Sequence, residues 1–355
     1  MIGRDRLSSV ILQPGATILD AVKAIDAGGI QAALISPDGE RLLGMVTDGD
    51  IRRAILRGAT LESDATAAMN ARPVSLSHPS SREQALALMK RLQIRQVPVL
   101  DEEGRILGLH YIDSDLTAKR EDNETWVVIM AGGRGTRLHP LTENMPKPMI
   151  PVGGQPLIET IIRSLIDQGF RRIYLSISFK ADMFRLHFGD GSLYGAEIRY
   201  IEEETRMGTA GALGLLDERP SGPFIVMNGD LLTAVNFNKM IAYHRASESL
   251  ATMCVRDYRV PIPFGVVELD GNRVSAIVEK PVKTYFVNAG IYVLEPEILS
   301  RVPRGQYLDM TTLLDRIMAE GGSVSSFPIH EYWLDIGRFD DLQQAQNEFD
   351  RVFGS

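Results

Sequence analysis

The sequence is poor in the residues that usually announce a chemistry. It holds one cysteine, Cys254, in 355 residues. That excludes an internal disulfide and a cysteine-held metal cluster. Cys254 lies in "ATMCVRDY", which reads as a strand with an inert core thiol. The six histidines (78, 110, 139, 187, 244, 330) nowhere show H-x-x-x-H spacing, so no zinc site is expected. Basic residues are outnumbered, 38 Lys and Arg against 46 Asp and Glu, for a formal net charge of −8. Nucleic acid and anionic membranes are held by the opposite balance, and neither is an expected partner. No apolar run approaches membrane-span length, and "MIGRDRLSSVIL" lacks a signal-peptide hydrophobic stretch. A cytoplasmic protein is therefore expected. Hydrophobic residues at 44% and charged residues at 24% are ordinary for a globular chain, and the length predicts two or three domains.

What is present begins with a repeat. "LLGMVTDGDI" and "ILGLHYIDSDL" are similar, with Arg41 and Arg105, Gly44 and Gly108, Thr17 and Ser81, and Ala21 and Ala85 all offset by 64 (105 − 41). Each copy opens on a hydroxyl helix cap, Thr17 or Ser81, followed by an amphipathic helix. A short apolar strand and a hairpin turning at Gly39 or Gly104 come next. Two copies, about 7–60 and 70–117, resemble a cystathionine-β-synthase-type (CBS) domain pair. The resemblance implies an α+β module that binds adenine nucleotides in many of its members. It places Thr47 and Asp50, in the G-x-V-T-x-x-D pattern, against a ligand's ribose and phosphate. The second copy departs: Tyr111 and Ser114 stand in those places, and Asp115 is displaced by one. A purely bracing role is the competing reading. Such modules pair face to face, so a homo-oligomer is expected. The polar stretch "TAKREDNET" sets the boundary, with domains at 1–120 and 125–355.

From Trp126 strands and helices alternate, which predicts a mainly parallel sheet with helices on both faces and ligands at the strands' carboxyl ends. "TAGALGLLDE" is read as one of the helices. "AGGRGTRL" sits at such a strand end but has neither P-loop nor dinucleotide spacing. Its glycines, Gly132, Gly133 and Gly135, let backbone N–H groups approach an anion, and Arg134 and Arg137 add charge. Lys147 follows, stiffened between two prolines, and suits a polyphosphate. "RMGTAGAL", "NGD" ending in Asp230, "VEKP" with Glu279 and Lys280, "FVNAG" with Asn288 and Gly290, and "YWLDIG" with Asp335 complete the set. Glu204 in "EEETR" is a weaker candidate, since an acidic run is more often solvated.

In this order the motifs resemble the sugar-1-phosphate nucleotidyltransferases over roughly residues 125–350. "PKPMIPV" is most similar to the guanylyl-transferring branch, and the added CBS pair resembles the glucosamine-1-phosphate guanylyltransferases of legionaminic acid synthesis. The resemblance implies a Rossmann-like, GT-A-like α/β domain, and transfer from an NTP to a sugar 1-phosphate with release of pyrophosphate. It implies that Ala131, Gly132, Gly133, Arg134, Gly135, Thr136, Gly208 and Thr209 hold the nucleotide, with Gly208 meeting the base. Arg137 and Lys147 would balance triphosphate charge, and Asp230 and Asp335 would ligate Mg²⁺. Gly265, Glu279, Lys280, Asn288 and Gly290 would form the sugar-phosphate site. GTP is the favoured nucleotide; glucosamine 1-phosphate and mannose 1-phosphate are both open. No general base is needed, because a phosphate nucleophile is ionised near neutral pH. The competing readings are an inactive nucleotide-sugar sensor and a scaffold subunit. No hexapeptide-repeat β-helix follows, so acetyltransfer is not expected.

Overall fold

The computed structural model describes residues 2–4, 7–28, 30–92, 94–111, 123–133 and 135–354. The chain forms two compact units, Met1–Lys119 and Arg120–Ser355, each with its own core.

In the first unit, β1 (Ile2–Gly3), β5 (Leu76–Ser77), β6 (Gln96–Leu100) and β7 (Ile106–Tyr111) form one sheet; β2 (Ile11–Leu12), β3 (Ala32–Ile35) and β4 (Gly44–Thr47) form another. The hydroxyl caps act as the sequence predicts. Asp20 N donates to Thr17 Oγ1 and Gln84 N to Ser81 Oγ, both at 3.1 Å, opening helices Ile18–Gly28 and Arg82–Leu92. Equivalent residues of the two copies meet each other: Arg41 bridges Arg105, Leu42 N donates to Gly104 O, and Ile106 N to Glu40 O. Counterparts can pair in this way only about a twofold axis. The repeat is therefore a pseudo-twofold pair, sealed by Leu7, Leu34, Met45, Ile106 and Leu109.

Thr47 and Asp50 bond to one another. Thr47 Oγ1 donates to Asp50 Oδ2 (2.6 Å), Thr47 N to the same oxygen (2.9 Å), and Asp50 N returns a bond to Thr47 Oγ1. This is a capping box for helix Asp48–Leu56, and the other Asp50 oxygen takes Arg53 at 2.7 Å. The pair expected to face a ligand thus has a complete local role. Ser114 and Asp115 lie outside the described residues.

The second unit is built on a seven-stranded sheet. Its strands are β8 (Asn123–Met130), β11 (Phe170–Ile177), β12 (Glu197–Glu202), β13 (Phe224–Asn228), β15 (Ala251–Pro261), β18 (Val282–Leu294) and β19 (Val324–Pro328). They run in the order β12-β11-β8-β13-β18-β15-β19, and only β18 is reversed. Every side chain from Val127 to Ile129 is buried, as expected for a parallel strand covered on both faces. Cys254 is fully buried beside Met240. Three small ribbons stand outside this sheet: β14 (Leu231–Thr233) with β20 (Trp333–Asp335), β16 (Val266–Asp270) with β17 (Arg273–Val278), and β9 (Pro151–Val152) with β10 (Gln155–Pro156). The last of them turns at Gly153 and Gly154.

One element differs from the sequence reading. "TAGALGLLDE" forms only a single 3-10 turn, Gly211–Leu215. Ala210 N and Gly211 N both donate to Leu308 O, and a Cβ at Gly211 would come 2.5 Å from Gln306 O. Close backbone packing replaces helical bonding there, and the glycines that permit it are poor helix formers.

These contacts set the expected cost of single substitutions. Gly153 has φ +62°, and an added Cβ would lie 2.0 Å from Phe349 Cδ1; Gly154 has φ +85° with open space around it. Gly153→Ala is expected to cost about 2–4 kcal/mol and Gly154→Ala about 1 kcal/mol in urea unfolding; equal losses would refute the Phe349 contact. Thr47→Ala should cost the first unit about 1 kcal/mol through the lost capping box, read as a lower urea midpoint for that unit.

Candidate active site

Two carboxylates 105 residues apart (335 − 230) are brought together by backbone register. In the β14–β20 ribbon Leu231 faces Asp335, and Ile336 N donates to Asp230 O at 3.1 Å. Asp230 itself follows β13 at the carboxyl end of the sheet, where Gly229 N donates to Met130 O of the neighbouring strand (2.9 Å). Lys147 completes the group. Its side chain is buried, its ammonium donates to Asp230 Oδ2, and it stands 3.8 Å from Asp335 Oδ1. Pro146 and Pro148 flank it in a 3-10 turn, which fixes its backbone as the sequence implies. Burial and the like charge of Asp230 push the Asp335 carboxyl above the usual range, while Lys147 and Arg137 pull it partly back. Asp230 and Asp335 are two hard oxygen donors of the kind that could hold a small divalent cation.

The glycine-rich turn is laid against this group. Gly135 takes φ +62°, and a Cβ there would sit 2.8 Å from Lys147 Cβ and 3.0 Å from Thr142 Cγ2. Thr142 Oγ1 ties the turn down by donating to Gly135 O (2.8 Å). Ala131 is buried, with its N–H bonded to Ser176 O, whereas Gly133, Thr136 and Arg137 are exposed. Arg134 lies outside the described residues.

Beneath the polar groups lies one apolar cluster: Leu138, Ile150, Val152, Leu157, Leu232, Ile336, Leu342, Ala345 and Phe349. Its members are sequence neighbours of Arg137, Lys147, Asp230 and Asp335, with Leu157 from the start of helix Leu157–Asp167 and three residues of helix Phe339–Phe353. Each buried Leu or Ile contributes about 1.5–3 kcal/mol, so the motifs are joined by their apolar neighbours as much as by charge.

Around the turn and loop expected to meet the nucleotide, the structure supplies residues that the sequence reading missed. Glu203, not Glu204, is the buried acid of "EEETR". Its carboxylate accepts from Ser176 Oγ (2.7 Å) and Met207 N (3.1 Å), and a Cβ on Gly132 would come 2.5 Å from Glu203 Oε1. It therefore couples the glycine turn to the 206–209 loop. Asp309 holds that loop from the other side, accepting from Thr209 N at 3.2 Å and Tyr307 at 2.7 Å. Gly208 (φ +76°) packs against Leu308 O, and the Thr209 hydroxyl accepts from Met310 N. No spacing rule picks Glu203 from three adjacent acids. Asp309 was legible in principle, as an acid standing before a helix.

The sugar-side candidates lie on an arm formed where β15 and β18 run past the sheet. Gly290 takes φ +68°, and a Cβ added there would come 2.6 Å from Asn228 Nδ2. Asn288 spends its amide internally, on Gly290 N (2.9 Å) and Tyr292 OH (2.6 Å). Trp333 Nε1 donates to Ala289 O (2.9 Å), binding the arm's root to the carboxylate ribbon. Further out, Gly265 leaves space for Glu279, whose Oε2 would be 2.9 Å from an added Cβ; Lys280 beside it takes φ +44°.

Comparisons with known proteins identify the family. Residues 126–351 match the nucleotidyl transferase family, and residues 7–57 and 64–109 match the CBS domain. The chain belongs to the nucleotidyl transferase family, with a CBS pair at its N-terminal side. Among its relatives, the mannose-1-phosphate guanylyltransferase of Mycobacterium tuberculosis is 31% identical over 230 residues, covering 63% of this chain and 64% of that protein. The bifunctional protein GlmU of Methanococcus maripaludis is 33% identical over 233 residues, covering 62% and 54% respectively. The chain thus spans about half to two thirds of the length of these curated relatives. Among solved structures, HddC from Yersinia pseudotuberculosis superimposes with a TM-score of 0.50 at 29% identity, over 63% of this chain and 99% of that one.

The two front glycines of the turn are separable by experiment. Gly132→Ala must displace the buried Glu203 carboxylate and is expected to lower stability by about 1–3 kcal/mol; Gly133→Ala, with nothing within 4 Å, should stay within about 0.5 kcal/mol. Thermal unfolding of both variants decides it, and an unperturbed Gly132→Ala would remove Glu203 as the link between the turn and the 206–209 loop.

Proposed function

We propose that the protein transfers a nucleotidyl group from an NTP to a sugar 1-phosphate, releasing pyrophosphate. The observation that carries the reading is the convergence of Lys147, Asp230 and Asp335 under the glycine-rich turn. An oxygen of the sugar phosphate attacks the α-phosphorus; the new P–O bond forms as the α–β anhydride bond breaks, and the electron pair leaves with pyrophosphate. The site needs no base for this. It needs two anions aligned and their charge balanced. Arg137 and Lys147 supply positive charge, and the turn supplies backbone N–H groups. Asp230 and Asp335 would hold Mg²⁺, which when bound neutralises charge between the reacting phosphates. Gly265, Glu279 and Lys280 bind the sugar phosphate in this reading.

GTP is the preferred donor, supported by "PKPMIPV" and by a relative named as a mannose-1-phosphate guanylyltransferase. Glucosamine 1-phosphate and mannose 1-phosphate are the acceptors proposed. The CBS pair is read as a regulatory module for an adenine nucleotide. Cytoplasmic location and assembly as a homo-oligomer belong to the same reading. A ligand reaching Thr47 and Asp50 must compete with their mutual bonds and with Arg53.

Pyrophosphate release across a grid of NTPs and sugar 1-phosphates, with Mg²⁺, tests the reaction directly. One strong NTP–sugar pair is expected, lost on chelation of the metal; a blank grid with intact GTP binding would favour the inactive sensor. Asp230→Asn should lower turnover by at least about 10³-fold with unchanged circular dichroism. Rates indifferent to AMP and ATP would leave the CBS pair as a brace.

A further inference from the structure

The final helix begins in an unusual way. Its cap position is Arg338, although that place strongly favours Ser, Thr, Asp or Asn. Asp341, the third helical residue, reaches back past the terminus: its Oδ2 accepts from Gly337 N (3.1 Å) and Arg338 N (2.7 Å). Arg338 makes no side-chain cap bond and carries an exposed guanidinium. Arg338 and Arg137 line the same cavity, about 420 Å³ in volume, with Phe339 and Asp340 completing its wall. Among the described residues neither arginine is held in an ion pair. Arg137 Nη1 lies 3.7 Å from the place of a Cβ on Gly337, two residues beyond Asp335. The cavity therefore adjoins the reacting centre, with two cations and one carboxylate around it.

We propose that Arg338 is a further binding residue for the pyrophosphate leaving group, beside the charge that Arg137 supplies in the reading above. The proposal rests on the transferase reading and deepens it. Guanidinium forks match phosphate oxygens bidentately, and two of them suit the adjacent β- and γ-phosphoryl groups. The single Asp340 charge leaves a net positive wall but a moderate one, which allows release as well as capture. In the reverse reaction a pyrophosphate oxygen enters from this cavity and attacks the α-phosphorus of the nucleotide sugar, and the sugar phosphate leaves with the electron pair.

The test uses the full chain and inorganic pyrophosphate with Mg²⁺, titrated calorimetrically, beside KM values in both directions. Arg338→Ala is expected to weaken pyrophosphate binding and raise its KM at least fivefold, with the KM for sugar 1-phosphate unchanged. Arg338→Lys should recover part of the loss, and Arg351→Ala, an exposed arginine on the same helix, should lose nothing. Unchanged pyrophosphate affinity in Arg338→Ala overturns the proposal, as does a wild-type chain that binds no pyrophosphate. Forward turnover in the substrate grid is scored separately, so failure of the cavity assignment leaves a working transferase.

Discussion

A three-residue ribbon carries the architecture of the site. β14 and β20 are joined by pairing of Leu231 with Asp335, and that register is what places two distant carboxylates on either side of one buried ammonium. A slip of one residue would turn Asp335 to the opposite face of the ribbon. The register is specified twice over. Leu232 and Ile336 are fixed in the apolar cluster beneath, and Trp333 is bonded to the backbone of the N-A-G segment. The polar chemistry above is thus positioned by apolar packing below. Lys147 answers to the same cluster, because Ile150 and Val152 anchor the segment that bears it.

Much of this was legible in the sequence, and for a physical reason. Positive-φ turns and close backbone approaches require glycine, so Gly39, Gly104, Gly135 and Gly290 mark their own roles. Helix caps announce themselves at Thr17 and Ser81 by residue type and offset. Buried parallel strands show as unbroken apolar runs, as in "WVVIM". Glu203 escaped because burial of one acid among three depends on tertiary packing around Ser176 and Met207. The turn at 211–215 looked helical by composition, and backbone bonds to a segment almost a hundred residues later overrode it. Thr47 and Asp50 illustrate the reverse: a pattern read for ligand binding also satisfies a helix terminus unaided.

The helix closing the described chain has two functions that the sequence hides. Its inner face fills the site's apolar floor through Leu342, Ala345 and Phe349, and its first turn offers Arg338 to a cavity beside the reacting group.

The ribbon also imposes an order in time. Asp335 is synthesised 188 residues after Lys147 (335 − 147), an interval on the order of 10–40 s at about 5–20 residues per second. Until then the nascent chain has β14 without its partner strand and the lysine without its second carboxylate. The repeat unit is meanwhile complete in sequence. On the ribosome, then, the first unit is finished well before Asp335 can close the ribbon of the candidate site.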